Sequence, residues 1–169
     1  MESFTTAVTT QLRDLAQMEE TIVEGYRKAL GDVDTPEMAD KLKVHLKDHE
    51  AHLREICTIL NCHEEGISIP DVAEEEEIDR HLGSSPLGDT LDTYRALEEI
   101  LALEKIAYER YRSLAAKDST KIPEELKAFL ERACTDETHH HSFLEKASVS
   151  MKAAVVLWGP VDQPPILHY

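Results

Sequence analysis

The sequence contains few of the residues that interrupt helices. It has 6 glycines and 7 prolines in 169 residues, and the prolines fall near predicted element boundaries. The three cysteines, Cys57, Cys62 and Cys134, are odd in number and lack C-x-x-C spacing. This argues against a cysteine-based zinc or redox site and predicts a reducing, cytoplasmic setting. A chain of this length is predicted to form one domain with its own core.

Basic residues are also scarce. Lysine and arginine number 18 against 34 acids, so the net charge is −16. Nucleic acid is therefore not an expected partner, because phosphate binding needs a basic face, whereas cations are attracted. No apolar run reaches 18 residues, and the start MESFTTAVTTQ is too polar for a signal peptide. We therefore expect no membrane span and no secretion.

Four amphipathic segments predict four helices, at about 2–31, 36–62, 89–117 and 123–157. Pro36 and Pro123 each suit the first turn of a helix. Short links join the first pair and the second pair, so each pair is predicted to be an antiparallel hairpin.

The link between the second and third helices is much longer, at 26 residues from His63 to Gly88. It can span at most about 86 Å, whereas a helix of these lengths measures about 42 Å. We therefore predict a four-helix bundle at 1–158 with a long crossover at 63–88, rather than a simple up-down bundle. The tail at 159–169 has no predicted role.

The inward-facing stripe of each predicted helix is apolar except near its middle. In the first and third helices the exception is one glutamate, Glu19 or Glu104, and a tyrosine follows seven residues later, Tyr26 or Tyr111. The second and fourth stripes carry His45, His49 and His52, and Glu137 and His140, respectively. Antiparallel packing would bring all these positions to a similar depth.

The two halves of the sequence also resemble each other. LEKIAYERYRSL aligns with MEETIVEGYRKAL, and DETHHHSFLEK aligns with DHEAHLREI, which indicates an internal repeat of two helical hairpins. Burying carboxylates and imidazoles without compensation is costly. Two divalent metal ions would remove that cost, and glutamate and histidine ligands suit iron or manganese.

On these residues the chain resembles the ferritin-like di-iron carboxylate superfamily, in particular rubrerythrin-like members, here without a rubredoxin module. Such bundles use one glutamate from each of two helices and Glu-x-x-His from each of the other two. The resemblance implies an all-α, ferritin-like bundle that binds two iron ions, with manganese or a mixed manganese–iron pair as alternatives. The ligands it implies are Glu19, His49, His52, Glu104, Glu137 and His140, with Tyr26 and Tyr111 hydrogen-bonded to ligand glutamates.

One position departs from the pattern, because His49 stands where a bridging glutamate is expected. Asp48 or Glu50 would restore a fourth carboxylate if the second helix were rotated by about 100°. His45 is either an extra ligand or a residue that supports one. His141 is the alternative ligand if the fourth helix is rotated.

The resemblance implies oxidase, peroxidase or ferroxidase chemistry on O2 or peroxide. The sequence identifies no residue that would be specific for another substrate. The alternative is a non-catalytic, stress-associated metal-binding protein whose site is structural, which the histidine at position 49 favours. A hemerythrin-like oxygen carrier fits poorly with the glutamates and the crossover. The last alternative is a metal-free helical module that binds a protein partner. Oligomeric state is open, from homodimer upwards.

Overall fold

The computed structural model describes residues 6–33, 35–60, 86–116, 122 and 124–158, and every regular element in these ranges is an α-helix. There are four such helices: α1 (Thr6–Asp32), α2 (Pro36–Leu60), α3 (Pro86–Ala115) and α4 (Glu124–Trp158). The prediction of an all-α four-helix bundle is confirmed. None of the described helices is long and apolar enough to cross a membrane.

The predicted boundaries that fall on described residues agree with the observed helix ends within a few residues, and the start of α3 differs most. This helix starts at Pro86, three residues before the predicted position, so residues 86–88 are helical rather than part of the link. A proline is tolerated at the first position of a helix, where its missing N–H would have no partner anyway. The rest of the predicted crossover, Pro123 and the tail at 159–169 lie outside the described residues.

Side-chain contacts fix the direction of the helices. Tyr26 of α1 contacts His45 of α2, and the earlier Glu19 contacts the later His49, so these two helices are antiparallel. Helices α1 and α3 are also antiparallel, because Lys28 pairs with Glu99 while Tyr111 bonds Glu19. Consequently α2 and α3 run parallel, and the end of α2 and the start of α3 lie at opposite ends of the bundle. This parallel arrangement of α2 and α3 is the one that the predicted long crossover requires.

The core follows the predicted heptad stripes. On α3, Leu97, Ile100, Ala107 and Leu114 are all buried. Stripe positions on the other three helices are buried with them: Leu12, Leu15, Ile22, Leu42, Ile56, Leu126, Leu130, Ala133, Leu144 and Ala147. These residues come from both ends of each helix, so the apolar core has two halves with a polar layer between them.

The backbones of α2 and α4 come close together over a shorter stretch than those of the other neighbouring helices. Long side chains fill the seam between them instead. Arg132 on α4 pairs with Glu55 on α2 at 2.6 Å, and the histidines of both helices meet further along the same seam. The polar layer is therefore built largely from α2 and α4 side chains that reach across a wide gap.

Candidate metal centre

Each helix contributes to the polar layer from the middle of its length. Glu19, His49, Glu104 and Glu137 have no exposed surface, and His52 and His140 are only 3% and 2% exposed. The i, i+3 spacing puts both members of each α2 and α4 pair on one helix face. All six predicted ligand residues thus lie in the interior, which their chemistry opposes unless something compensates for the burial.

The six residues form two overlapping groups, each with ligand atoms that all lie within 4.8 Å of one another. His49 and Glu137 belong to both groups. The two groups are otherwise matched, since one adds Glu19 and His52 and the other adds Glu104 and His140. This is the symmetry that the internal repeat predicts, with a position for one cation in each half.

Five atoms in the two groups that could bind a cation have no hydrogen-bond partner within the described part of the chain. They are Nδ1 of His52, Nδ1 of His140, Oε2 of Glu104 and both carboxyl oxygens of Glu137. A buried polar atom without a partner costs about 1–3 kcal/mol, so native proteins contain few of them. Five in one place indicate a site that a cation completes.

His49 lies between the two glutamates of α1 and α3. Its Nδ1 is 2.8 Å from Oε2 of Glu19, and its Nε2 is 2.8 Å from Oε1 of Glu104. Burial alone would lower the pKa of His49, but the two carboxylates outweigh it and raise that pKa well above 6.5. In the metal-free protein His49 is therefore an imidazolium that donates one hydrogen bond to each glutamate.

The carboxyl groups respond to His49 in different ways. Burial would raise the pKa of Glu19, but His49 and His52 together lower it to about 2. The pKa of Glu104 is likewise low, because His49 and His140 outweigh its burial. Burial raises the pKa of Glu137 well above 4.5, and the nearby Glu104 adds to that rise. Without a cation, Glu137 is thus held as a neutral carboxylic acid.

The two tyrosines each bind the glutamate of the other helix. The Tyr111 hydroxyl on α3 donates to Oε1 of Glu19 on α1, and the Tyr26 hydroxyl on α1 donates to Oε1 of Glu104 on α3. Burial and the neighbouring carboxylates raise the pKa of both phenols well above 10.0. The tyrosines therefore stay protonated and orient the two carboxylates.

His45 lies beside the two groups and belongs to neither of them. Its ring stacks on His140 with centroids 4.1 Å apart, and its Nδ1 is 3.2 Å from the Tyr26 hydroxyl. Burial and His140 lower the pKa of His45 to about 3, so the ring is neutral. Because the Tyr26 proton is donated to Glu104, His45 donates its Nδ1–H to the tyrosine oxygen. It supports a candidate ligand through that tyrosine.

Two aspartates complete the site, and each bonds a histidine across the α2–α4 seam. Nε2 of His52 is 3.2 Å from Oδ2 of Asp136, and Nε2 of His140 is 3.1 Å from Oδ2 of Asp48. Burial would lower the pKa of His52, but Asp136, Glu137 and Glu19 raise it to about 12. Each aspartate fixes a ring so that Nδ1 points to the interior.

The role of Asp136 was not predicted from the sequence. A signal exists, since an aspartate directly precedes both Glu137 and His49, which gives D-E-x-x-H and D-H-x-x-H. The pairing itself runs between the two motifs rather than within either one. The pairing of each aspartate with a histidine of the other motif follows only from the packing of α2 against α4.

The alternatives that required a rotated helix do not hold in the structure. Asp48 is half-exposed and bonds His140, and Glu50 pairs with Arg27 at 2.9 Å, so neither supplies a fourth carboxylate. His141 lines an outer groove beside Lys105. The helices keep the predicted register because rotating either one would turn its apolar stripe towards water.

The aspartate pairs lead to a first prediction. Asp136→Asn and Asp48→Asn are each expected to weaken metal binding by about 10–100-fold, because an amide holds the ring and raises its basicity less well than a carboxylate. Titration of the metal-free protein with Zn²⁺ measures this. Asp40→Asn, at a well-exposed position on α2, is the matched control and should bind as the wild type does. Equal affinities in all three variants would contradict the orienting role.

Comparison with known proteins gives a likeness in fold. Neither a known family profile nor a curated protein sequence matches the chain. The crystal structure of a conserved hypothetical protein, Rv2844, from Mycobacterium tuberculosis is similar, with a TM-score of 0.59 and 14% sequence identity. The alignment covers 86% of this chain and 99% of that one. At this identity the likeness shows a shared fold and nothing about function.

Proposed function

We propose that the protein binds two metal ions between its four helices and uses them for redox chemistry on O2 or peroxide. The observation that carries the proposal is the pair of overlapping buried groups, in which five possible ligand atoms have no hydrogen-bond partner among the described residues. Imidazole nitrogens and carboxylate oxygens fill both groups, and neither includes a thiolate. This donor set suits iron, with manganese or a mixed manganese–iron pair as alternatives.

Two ferrous ions bound here would supply two electrons, which O2 or peroxide can accept. The protein's own part is to hold and orient. Glu19 and Glu104 are fixed by the tyrosines, while His52 is fixed by Asp136. Burial keeps water out, which strengthens every electrostatic interaction at the site. The resemblance to rubrerythrin-like proteins adds support. We further propose a cytoplasmic location, which the odd number of cysteines and their lack of C-x-x-C spacing favour.

Anaerobic loading with Fe²⁺, followed by exposure to O2 or to peroxide, tests the proposal. We expect two iron ions per chain. We also expect Fe²⁺ to be oxidised much faster than in buffer alone, and absorbance spectroscopy measures that rate. Glu131→Gln, on the exposed face of α4, is the control and should behave as the wild type does. A chain that binds no metal, or that binds iron without faster oxidation, would contradict the redox proposal.

The second candidate is a structural metal site without turnover. The complete burial of Glu19, His49, Glu104 and Glu137 favours it, because an oxidant has to reach a catalytic centre. In that case chelation would lower the unfolding midpoint, and the loaded protein would consume neither O2 nor peroxide. The same iron-loading experiment separates the two candidates.

A further inference from the structure

His49 differs from the other histidines of the candidate centre in how it faces the two groups. Its two ring nitrogens point in different directions, Nδ1 to Glu19 in one group and Nε2 to Glu104 in the other, each at 2.8 Å. The remaining histidines point only one nitrogen inward, since Nε2 of His52 and of His140 is bonded to an aspartate. The ring of His49 therefore lies between the two proposed metal positions, with one nitrogen for each.

We propose that His49 bridges the two metal ions through its two ring nitrogens, and that this bridge selects metals that prefer nitrogen ligands. The inference rests on the proposed dinuclear centre and adds to it the role of the residue that departs from the expected glutamate. When both nitrogens bind metal, both ring protons leave to water and the ring becomes an imidazolate. Glu19 and Glu104 then exchange their bonds with His49 for bonds to the metals.

Charge balance supports a bridging ring over a neutral ligand. Once metal binding has released the Glu137 proton, the fully buried ligands include three carboxylates, Glu19, Glu104 and Glu137, against the four positive charges of two divalent ions. Asp48 and Asp136 are partly exposed, so water solvates their charges. An imidazolate supplies the missing negative charge, which a fourth glutamate would otherwise supply. An uncompensated charge in a fully buried layer is costly, so the neutral total favours the bridge.

The bridge has a consequence for metal selection. Imidazole suits zinc, copper, iron and nickel, whereas carboxylates suit manganese and magnesium. A centre whose shared ligand is an imidazolate should therefore discriminate against manganese more strongly than one bridged by carboxylates alone. His49→Glu restores the fourth carboxylate and removes this discrimination. His49→Gln keeps a similar size and polarity but cannot bridge as an anion.

The test uses Zn²⁺ and Mn²⁺, which bind without any redox step. Metal-free wild type, His49→Glu and His49→Gln are each titrated with one ion at a time, and bound metal is counted by elemental analysis. We expect two zinc ions in the wild type and in His49→Glu, but a second zinc ion at least about 10-fold weaker in His49→Gln. The ratio of manganese to zinc affinity should rise by at least about 10-fold in His49→Glu relative to the wild type.

A crystal structure of the zinc-loaded wild type gives the direct readout. Both ring nitrogens of His49 should lie about 2.0–2.1 Å from a zinc ion. Zinc on one nitrogen only, or two zinc ions held with wild-type affinity by His49→Gln, would overturn the bridge and leave the dinuclear proposal standing. A wild type that binds no metal would overturn both. If His49→Gln does not fold by circular dichroism, His49→Glu and the zinc structure still decide the question.

Discussion

Replacing Glu137 with leucine is expected to abolish binding of both metal ions and, at the same time, to stabilise the metal-free protein. Glu137 belongs to both ligand groups, so its loss removes a ligand from each proposed metal position. Glu104→Leu touches one group only and should leave one ion bound. Elemental analysis of the loaded variants measures both results.

The gain in stability follows from the surroundings of Glu137. Its side chain is fully buried, and neither carboxyl oxygen has a hydrogen-bond partner. The nearest nitrogens, on His52 and His49, lie 3.5 and 3.7 Å from Oε1, beyond good hydrogen-bond geometry. An unsatisfied buried polar group costs about 1–3 kcal/mol. Leucine is of similar size and removes that cost, so the free energy of unfolding should rise by about that amount.

Chemical denaturation of the metal-free proteins measures the change in the free energy of unfolding. Glu131→Leu is the matched control on an exposed face of the same helix, and surface changes of this kind usually stay within about 0.5 kcal/mol. A metal-free Glu137→Leu variant that is less stable than the wild type would mean that Glu137 makes stabilising contacts of its own. The case for a site completed by cations would then lose its main physical support.

The sequence alone was enough to place the six candidate ligands in one layer. A helix has a fixed period, so one apolar stripe decides which face is buried, and Glu19, Glu104 and Glu137 each interrupt such a stripe near the middle. The burial of all three follows from that register. The start of α3 was harder to predict from the sequence, because Pro86 is equally compatible with a link and with the first turn of a helix.

Contacts between helices could not be predicted in the same way. Tyr111 was expected to hydrogen-bond a candidate ligand glutamate, and it bonds Glu19. Which glutamate it bonds depends on how closely α1 and α3 approach, and the sequence does not give that distance. Asp136 falls beside the buried stripe of α4 and looks like a solvated acid in the sequence. Its bond to His52 exists only because the wide α2–α4 seam admits a long side chain from each helix.

A second large effect is expected from pH, because the metal-free protein should lose stability as pH rises while the stabilisation by bound metal grows. The pKa of His52 rises from 6.5 in the unfolded chain to about 12 in the folded protein, and the pKa of His49 rises in the same direction. A raised histidine pKa stabilises the fold fully below 6.5, and this contribution is lost as pH rises above that value. The metal-free protein should therefore become less stable between pH 6.5 and 8.

The expected slope is steep. Each proton that the folded state holds and the unfolded state has lost contributes up to about 1.4 kcal/mol per pH unit. The raised pKa of Glu137 acts in the same direction and starts from 4.5. The lowered pKa of Glu19, at about 2, acts in the opposite direction, since its contribution is complete above 4.5 and is lost only in acid. Above pH 6.5 nothing in this set opposes the loss.

Metal binding offsets this loss because the ligands must give up their protons to bind. Protons compete with the metal for His49 and Glu137 at low pH, so affinity rises as pH increases. A ligand that binds only the folded state stabilises it by an amount that grows with affinity. The difference in unfolding midpoint between the zinc-loaded and the chelator-treated protein should therefore widen steadily from about pH 5 to pH 8.

Denaturant melts at several pH values in that range, with and without zinc, measure both trends. His139→Gln, an exposed position on α4, is the control and should leave both slopes unchanged. A metal-free protein whose stability stays flat or rises above pH 6.5 would show that His49 and His52 are neutral in the fold. The buried carboxylates would then have no positive partner without a metal, and a folded metal-free state would itself be unexpected. The slope of the metal-free protein therefore tests directly whether protons occupy the place that cations are proposed to take.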